Sequence, residues 1–135
     1  MMNYDETEEF RRDFKKLLKK FSSLAEGLEV NKQYRIELFH YKGIDSRSIF
    51  EIQGVGNTAE LKFFKVKKFQ CKNLKGRGAK SGIRIIYGYF PIKQKIVFVE
   101  IYFKANQKNE NRQRIFDFIN INKVRSKDEA NKKLP

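Results

Sequence analysis

Three cationic side chains on two neighbouring predicted strands have the types and spacing for phosphate chemistry. Lys65 and Lys67 stand two positions apart in the strand predicted at 63–69, so both ammonium groups leave the same face of a sheet. Arg84 lies near the start of the next predicted strand, 83–90. A guanidinium there can hold a phosphate and stabilise the charge that develops on it in a transition state.

Each of these side chains also has a purely structural interpretation. Lysines on a strand often form a solvated face, or a charged edge that prevents aggregation. Arg84 could pair with Glu60 or Glu100. A carboxylate among so many cations, such as Glu100, is expected to be an ion-pair partner rather than a catalyst. The strand pattern alone favours the structural interpretation of the two lysines.

Positive charge is concentrated around these residues. From residue 61 to residue 99 the chain has eleven Lys or Arg and no Asp or Glu. The loop at 70–81 is rich in glycine, so its backbone can approach a phosphate chain closely; the alternative is a simple hairpin connection. It is not a nucleotide-binding P-loop, because Ala79 stands directly before Lys80, where that motif needs glycine. We predict electrostatic contact with RNA for the cations in and beside this loop: Lys68, Lys72, Lys75, Arg77 and Lys80.

The scarcity of histidine and cysteine restricts the chemistry further. His40 and Cys71 are the single residues of their types, so the sequence supports no metal-ligand cluster and no Cys–His or Ser–His–Asp arrangement. We therefore expect no metal and no cofactor. A nuclease built on this chain would cut RNA by attack of the 2′-hydroxyl on the adjacent phosphate, with lysine, arginine or tyrosine handling protons and charge.

Composition predicts one soluble, cytoplasmic domain. The 135 residues fit one domain by size, and the 40% hydrophobic content with 13 Phe can fill its core. The formal charge of +14 at pH 7 favours nucleic acid, an anionic membrane surface or an acidic protein as partner. One cysteine fits a reducing compartment. The acidic start has no signal-peptide pattern, and no apolar run is long enough for a membrane span.

The N-terminal part of the chain predicts a helical hairpin. Apolar residues recur at helical spacing through 5–21, with acidic residues at the start and lysines at the end. Ser23 and Glu26 have capping-box spacing, which begins a second helix, and Gly43 is its expected C-terminal cap. Two helices with a short break between them form a hairpin.

Strands fill the middle of the chain and a helix follows them. The predicted strands are 49–52, 63–69, 83–90 and 96–103. Short connections favour antiparallel pairing between neighbours. A short helix is predicted at 109–121. Residues 122–135 are expected to be a basic, disordered tail, because they include few large apolar side chains.

Three stretches in the strand region carry a family resemblance. They are Phe64-Lys65-Val66-Lys67, Ser81-Gly82-Ile83-Arg84-Ile85-Ile86-Tyr87, and the strand from Ile96 to Lys104. Following a basic helical hairpin, this order resembles the RelE/ParE superfamily of toxins from type II toxin–antitoxin systems over residues 10–119. The resemblance implies an α+β, RelE-like domain at 1–121. In it, an N-terminal helical hairpin packs on a twisted antiparallel sheet of three to four strands, and a short C-terminal helix follows.

The resemblance also implies an activity and partners. RelE-like members cleave mRNA in the ribosomal A site without a metal, and a cognate antitoxin protein wraps and neutralises the toxin. Lys65 and Lys67 match the family's catalytic lysines, and Arg84 matches its phosphate-contacting arginine. A further arginine and a stacking tyrosine of the family fall at Ala105 and Asn111. Nearby side chains are the candidates to replace them: Tyr102 and Lys104 in catalysis, Lys108 and Arg112 beside them, with Arg112 also a candidate for RNA binding.

The leading prediction is a ribosome-associated endoribonuclease, an mRNA interferase that arrests translation. Lys65 or Lys67 would act as the base or stabilise the leaving group, and Arg84 would hold the scissile phosphate. A ParE-like toxin would instead inhibit DNA gyrase by protein–protein binding without catalytic side chains, an outcome that Ala105 and Asn111 favour. The third prediction is a non-catalytic RNA-binding protein of this fold.

Overall fold

The fold is an α+β arrangement of one mixed sheet with helices packed on both faces. The structure is a computed structural model that describes residues 1–45, 47–67, 69 and 82–133, with backbone alone for 124–133. The elements in chain order are β1 Asn3–Glu6, α1 Glu8–Lys20, α2 Leu24–Asn31, a π-helical turn Lys32–Ile36, α3 Glu37–Lys42, β2 Ile49–Glu51, β3 Lys62–Val66, β4 Ile83–Phe90, β5 Lys95–Phe103 and α4 Arg112–Lys133.

In the described part of the chain, five strands form the sheet in the order β1-β5-β4-β3-β2. The strands from β2 to β5 pair antiparallel, as their short connections predict, whereas β1 pairs parallel with β5. The prediction of a purely antiparallel sheet of three to four strands is therefore wrong at one edge. The sequence does not reveal β1 because Asn3–Glu6 is polar and has low strand propensity. Backbone bonds hold it, including one from Asn3 to the carbonyl of Gln94.

The first helix begins later than its acidic pattern predicts, because residues before Thr7 belong to β1. Thr7 is the N-cap, and its hydroxyl accepts a hydrogen bond of 3.1 Å from the N–H of Phe10. Glu8 lies in the first turn and Lys20 in the last. Both charges complement the helix dipole.

The second helix of the predicted hairpin starts and ends where expected but is not regular. It begins after Ser23, and Gly43 closes it with a positive φ of 64°, the left-handed conformation that favours glycine. Between α2 and α3 the backbone widens into the π-helical turn. Next to that turn, the hydroxyl of Tyr4 donates to the Glu37 carboxylate at 2.7 Å, which ties the helix to β1.

Two apolar clusters flank the sheet, and alternation along the strands separates them. The first lies under α1, α2 and α3, and Phe64 belongs to it. The second lies under α4, and Phe63 belongs to it. Because consecutive strand residues face opposite sides, Lys65 shares the face of Phe63. The face of the sheet that α4 covers is therefore the one that carries the predicted catalytic lysine.

The C-terminal helix continues beyond its predicted end. The pattern predicts a short helix at 109–121, whereas α4 runs from Arg112 to Lys133, through residues that the sequence assigned to a tail. The apolar signal stops earlier than the helix because the side chains that touch the sheet, Ile115, Phe118 and Ile119, all lie in its first half. A hydrophobic period marks only the helical residues that pack against the core. It therefore cannot predict the later turns of α4, whose residues do not supply that pattern.

His40 lies in an aromatic cluster of this core. Its Nε2 atom is 2.7 Å from the hydroxyl of Tyr87. Its ring centre is 3.9 Å from that of Tyr89 and 4.9 Å from those of Phe39 and Phe64. Burial lowers the pKa of His40 to about 4. The imidazole is therefore neutral in the folded protein at physiological pH.

We expect His40 to make the fold less stable as the solution becomes acidic. The unfolded chain takes up a proton on His40 near the ordinary pKa of 6.5, whereas the folded protein does so only near pH 4. Between those values the unfolded state binds more protons, so the free energy of unfolding falls as pH drops. Denaturant titrations at several pH values measure this. A His40→Phe variant should have a shallower decline across the same window, and an unchanged decline would contradict the assignment.

Candidate active site

The predicted catalytic residues of the strands come together on the face that α4 covers. The strand register places Lys65 of β3 opposite Ile86 of β4, and Ile86 opposite Glu100 of β5. Two positions along the same face, Arg84 lies opposite Tyr102. Side chains at alternate positions of adjacent strands share one face. Lys65, Arg84 and Tyr102 therefore lie within two neighbouring rungs of three adjacent strands.

Glu110 neutralises Lys65 in the middle of this cluster. The Nζ atom of Lys65 is 2.5 Å from Oε2 of Glu110, and their side chains are only 14% and 7% exposed. The Nε atom of Arg112 lies 3.6 Å from the other carboxylate oxygen. Burial alone would raise the pKa of Glu110, but the hydrogen bond and charge of Lys65 and the charge of Arg112 lower it below its usual value. The carboxylate is therefore ionised, and its charge is directly opposed to that of Lys65.

The buried carboxylate of Glu100 positions the segment that carries Glu110. Glu100 is 2% exposed and accepts hydrogen bonds from the side-chain amide of Gln107 at 2.7 Å and from the backbone N–H of Asn111 at 2.8 Å. Among the described residues, its hydrogen-bond partners are these neutral donors, and no cation there pairs with it as the sequence predicts. Because a buried carboxylate is costly without such donors, the bonds hold the loop after β5 against the sheet.

Arg84 is anchored by backbone carbonyls and keeps donors available. Its Nη1 atom donates to the carbonyl of Lys67 at 2.7 Å and to that of Ile83 at 3.1 Å. Its other N–H groups have no hydrogen-bond partner among the residues that the structure describes. Lys67 is exposed, and its ammonium lies 4.7 Å from the centre of the Phe50 ring. Arg84 and Lys67 thus form an accessible rim beside the buried Lys65–Glu110 pair.

Tyr102 is a buried phenol beside Lys65 and Arg84 on this face. It is 5% exposed and packs with Phe63 and Ile86 in the second apolar cluster. Burial, together with the charges of Glu110 and Glu100, raises its pKa to about 12, and the charge of Arg84 opposes this shift. The phenol therefore stays protonated at neutral pH, which suits it to giving a proton rather than taking one.

The other predicted site residues lie beside or outside this cluster. Lys104 is exposed in the turn after β5, and its backbone N–H donates to the carbonyl of Gly82 at 2.7 Å. Arg112 is half exposed and donates to the carbonyl of Gln53 at 2.9 Å. The predicted RNA-binding cations of the basic loop lie outside the described residues: Lys68, Lys72, Lys75, Arg77 and Lys80.

The sequence analysis missed Glu110. It lies in an irregular segment with no hydrophobic period, and only its place among nearby cations could have marked it. The structure also gives the family's missing positions other uses. Asn111 caps α4, because its side-chain oxygen accepts the N–H of Gln113 at 3.1 Å. Ala105 lies in the turn after β5.

The fold and the site define a class, an α+β protein with a cation-rich site on one face of a mixed sheet. No protein-family model, no curated protein and no solved structure matches this chain. Within the described residues, no group of three or more His, Cys, Asp or Glu could hold a metal ion. None of the helices in that part of the chain is both long and apolar enough to cross a membrane.

We expect Glu110→Gln to lower the free energy of unfolding at neutral pH by roughly 2 kcal/mol, since it leaves the Lys65 ammonium nearly buried without a counter-charge. The pKa of Glu110 is lowered in the folded protein from its ordinary value of 4.5. The ion pair therefore stabilises the fold above that value, and its contribution disappears as pH falls through the lowered pKa. Urea unfolding across this range should show the two proteins converging in acid.

The matched control for this experiment is Glu51→Gln. Glu51 is an exposed carboxylate at the end of β2, so its neutralisation should change stability by no more than about 0.5 kcal/mol. If Glu110→Gln were as stable as Glu51→Gln at neutral pH, the Lys65–Glu110 pair would not be the support that its geometry indicates.

Proposed function

We propose that this chain is the toxin of a type II toxin–antitoxin system, with a RelE-like fold and a metal-independent endoribonuclease activity on translated mRNA. The observation that carries the proposal is the position of Lys65, Arg84 and Tyr102 on one face of three adjacent strands. These are the positions at which the family resemblance expects lysine and arginine, with Tyr102 as the replacement for a missing side chain. The α+β architecture with helices packed on the sheet supports the same proposal.

The reaction needs no group beyond these side chains and the RNA itself. The 2′-oxygen attacks the adjacent phosphorus, and the bond from phosphorus to the 5′-oxygen breaks. One strand then ends in a cyclic phosphate and the other in a 5′-hydroxyl. The N–H groups of Arg84 that bond no described residue would contact the non-bridging oxygens, where negative charge develops. Tyr102 would give its proton to the leaving 5′-oxygen, and Lys67, in its uncharged amine form, would receive the proton of the 2′-hydroxyl.

Glu110 sets a condition on this reaction. Its carboxylate already lies on Lys65 at 2.5 Å, and a second anion cannot approach the same ammonium without strong repulsion. Substrate binding therefore has to displace Glu110, and the loop that carries it, from Lys65. Lys65 would then stabilise the phosphate as an ammonium rather than act as the base.

A second candidate function is ParE-like inhibition of DNA gyrase by protein–protein binding. The observation that favours it is the neutralisation of Lys65 by Glu110, since a protein that only binds another protein has no need of a free lysine there. Ala105 and Asn111, which replace two family side chains, favour it too. Both candidates share a cognate antitoxin as partner. They differ in whether messenger RNA is cut.

Induction of the protein in a bacterium, followed by mapping of new 5′ ends on its mRNAs, tests the proposal. We expect growth arrest with cuts confined to translated regions. A variant with both Lys65→Ala and Arg84→Ala should show cleavage reduced by about 10²-fold or more, because it lacks the groups that stabilise charge on the phosphate. Growth arrest with intact mRNA would instead indicate a protein target such as gyrase.

Two further variants keep this result interpretable. Lys67→Ala with Arg84→Ala leaves the Lys65–Glu110 pair in place, so a loss of cutting there cannot come from an unpaired buried carboxylate. Lys42→Ala with Lys93→Ala removes two exposed cations that lie away from the site, and it should cut as well as the wild type. A loss of cutting in this control variant would show that cleavage depends on the net charge of the protein rather than on the candidate site.

Tyr102→Phe tests the proton donor alone. The ring that packs in the core is kept, whereas the phenolic proton is lost, so we expect a normal fold with cleavage reduced by about 10²-fold. Single-turnover cutting of ribosome-bound mRNA measures this effect. Tyr34→Phe, at a tyrosine that is 60% exposed, is the control and should cut normally. Full activity of Tyr102→Phe would exclude Tyr102 as the donor.

A further inference from the structure

Six cations line the solvent side of α1. After the two acidic residues of its first turn, every exposed residue of this helix is basic, and together they form a set that we call the α1 stripe: Arg11, Arg12, Lys15, Lys16, Lys19 and Lys20. Residues at i, i+1, i+4, i+5, i+8 and i+9 lie on one side of an α-helix. At the helical rise per residue, the stripe is about 13 Å long, with successive pairs about 6 Å apart.

Three cations of the α1 stripe contact a carboxylate or an aromatic ring of the protein, and the other three form no ion pair with the described residues. Arg11 pairs with Glu6 at 3.0 Å, and Arg12 lies 3.8 Å from Glu9. The ammonium of Lys20 lies over the ring of Phe103. Three other members form no ion pair with any residue in the described part of the chain: Lys15, Lys16 and Lys19.

The repulsion among these three cations is only partly offset within α1. Like charges four residues apart repel, as Lys15 and Lys19 do. The helix dipole compensates cations in the last turn, where Lys19 and Lys20 lie. It does little for Lys15 and Lys16, which lie further from the C-terminus. An anionic partner outside the chain would remove the repulsion for all of them.

The apolar side of α1 packs against the core, and this disfavours two kinds of partner. Phe10 is completely buried, and Phe14 and Leu17 pack against the same core. A helix that inserts into a membrane surface needs a free apolar face, whereas the apolar residues of α1 pack against the core. The centres of protein interfaces are depleted in lysine and rich in aromatic side chains, the opposite of this stripe. A phosphate backbone needs only cations.

We propose that the α1 stripe binds the phosphate backbone of double-stranded RNA. Proteins that bind single strands stack bases on exposed aromatic rings, and the stripe has no ring among its members, whereas duplex RNA is recognised largely through shape and backbone. The stripe belongs to the helix that packs on the sheet face opposite Lys65 and Tyr102. It would therefore hold a folded region of RNA, separate from any strand at the candidate site. The proposal does not depend on cleavage.

Binding of a short labelled RNA duplex to the full chain, measured by fluorescence anisotropy over a range of salt concentrations, tests the proposal. The variant replaces Lys15, Lys16 and Lys19 by glutamine. It should bind more weakly, and the slope of log affinity against log salt should become shallower by about 2 to 3, since three phosphate contacts are lost. The control replaces Lys42, Lys93 and Lys123, three exposed lysines elsewhere, and should keep the wild-type slope.

Four results decide the matter. Equal losses of duplex affinity in the two triple variants would show a general effect of net charge and would overturn the proposal. Tighter binding to a DNA duplex of the same sequence would overturn the assignment to RNA. Binding of the wild type to phosphatidylserine vesicles, but not to the duplex, would overturn it in favour of a membrane surface. A variant of Lys65→Ala with Arg84→Ala that fails to cut mRNA but binds the duplex normally would support the stripe as a separate site.

Discussion

The ion pair between Lys65 and Glu110 is the interaction on which the candidate site depends. It joins the middle of a strand to an irregular segment and leaves both charges almost fully out of water. Two charges in that position are tolerated when each has a counter-charge and further hydrogen bonds, which Arg112 and the backbone of Glu110 help to supply. Without Glu110, a lysine at this place would be an uncompensated charge under α4. The fold and the site therefore constrain each other.

The buried carboxylate of Glu100 holds the segment that brings Glu110 to Lys65. Glu100 is fixed by Gln107 and by the backbone of Asn111, so the chain turns back over the sheet directly after β5 and begins α4 there. Near the start of α4, Arg114 forms an ion pair with Asp13 of α1 through two of its nitrogen atoms, which links the helices of the two sheet faces. Thus a few buried or half-buried polar contacts, rather than apolar area alone, decide where α4 lies.

The distribution of charge explains how a chain with a formal charge of +14 folds around a cationic site. Among the described residues, two of the less exposed cations are matched by a carboxylate, Lys65 by Glu110 and Arg114 by Asp13. Outside, the excess is left in water, where repulsion is weak. The exposed members of the α1 stripe and the rim of Lys67 and Arg84 hold this excess on two faces of the sheet. Under the two proposals above, both surfaces would bind an anionic polymer.

The regular elements could be predicted from the sequence where side-chain period and core contact coincide. The strand Ile83–Phe90, the turn after it and the cap at Gly43 follow from local chemistry, because alternation, a proline and a left-handed glycine each act within a few residues. Local chemistry also placed Lys65 and Arg84 on neighbouring strands. The family resemblance supplied a role for them, which the experiments above can test.

The tertiary structure decided what depends on residues far apart in the chain. The strand Asn3–Glu6 forms because β5 offers it an unpaired edge, a fact that its own polar sequence does not contain. Glu110 faces Lys65 because Glu100 folds the intervening loop, and no periodic pattern reports such a contact. The burial that keeps Tyr102 protonated likewise comes from α4 and β3 packing around it. The sequence by itself determined the strands, their cations and the excess of positive charge, because these are local properties. Which cations are neutralised and which remain free was decided by three-dimensional packing, because burial and counter-charges come from distant parts of the chain.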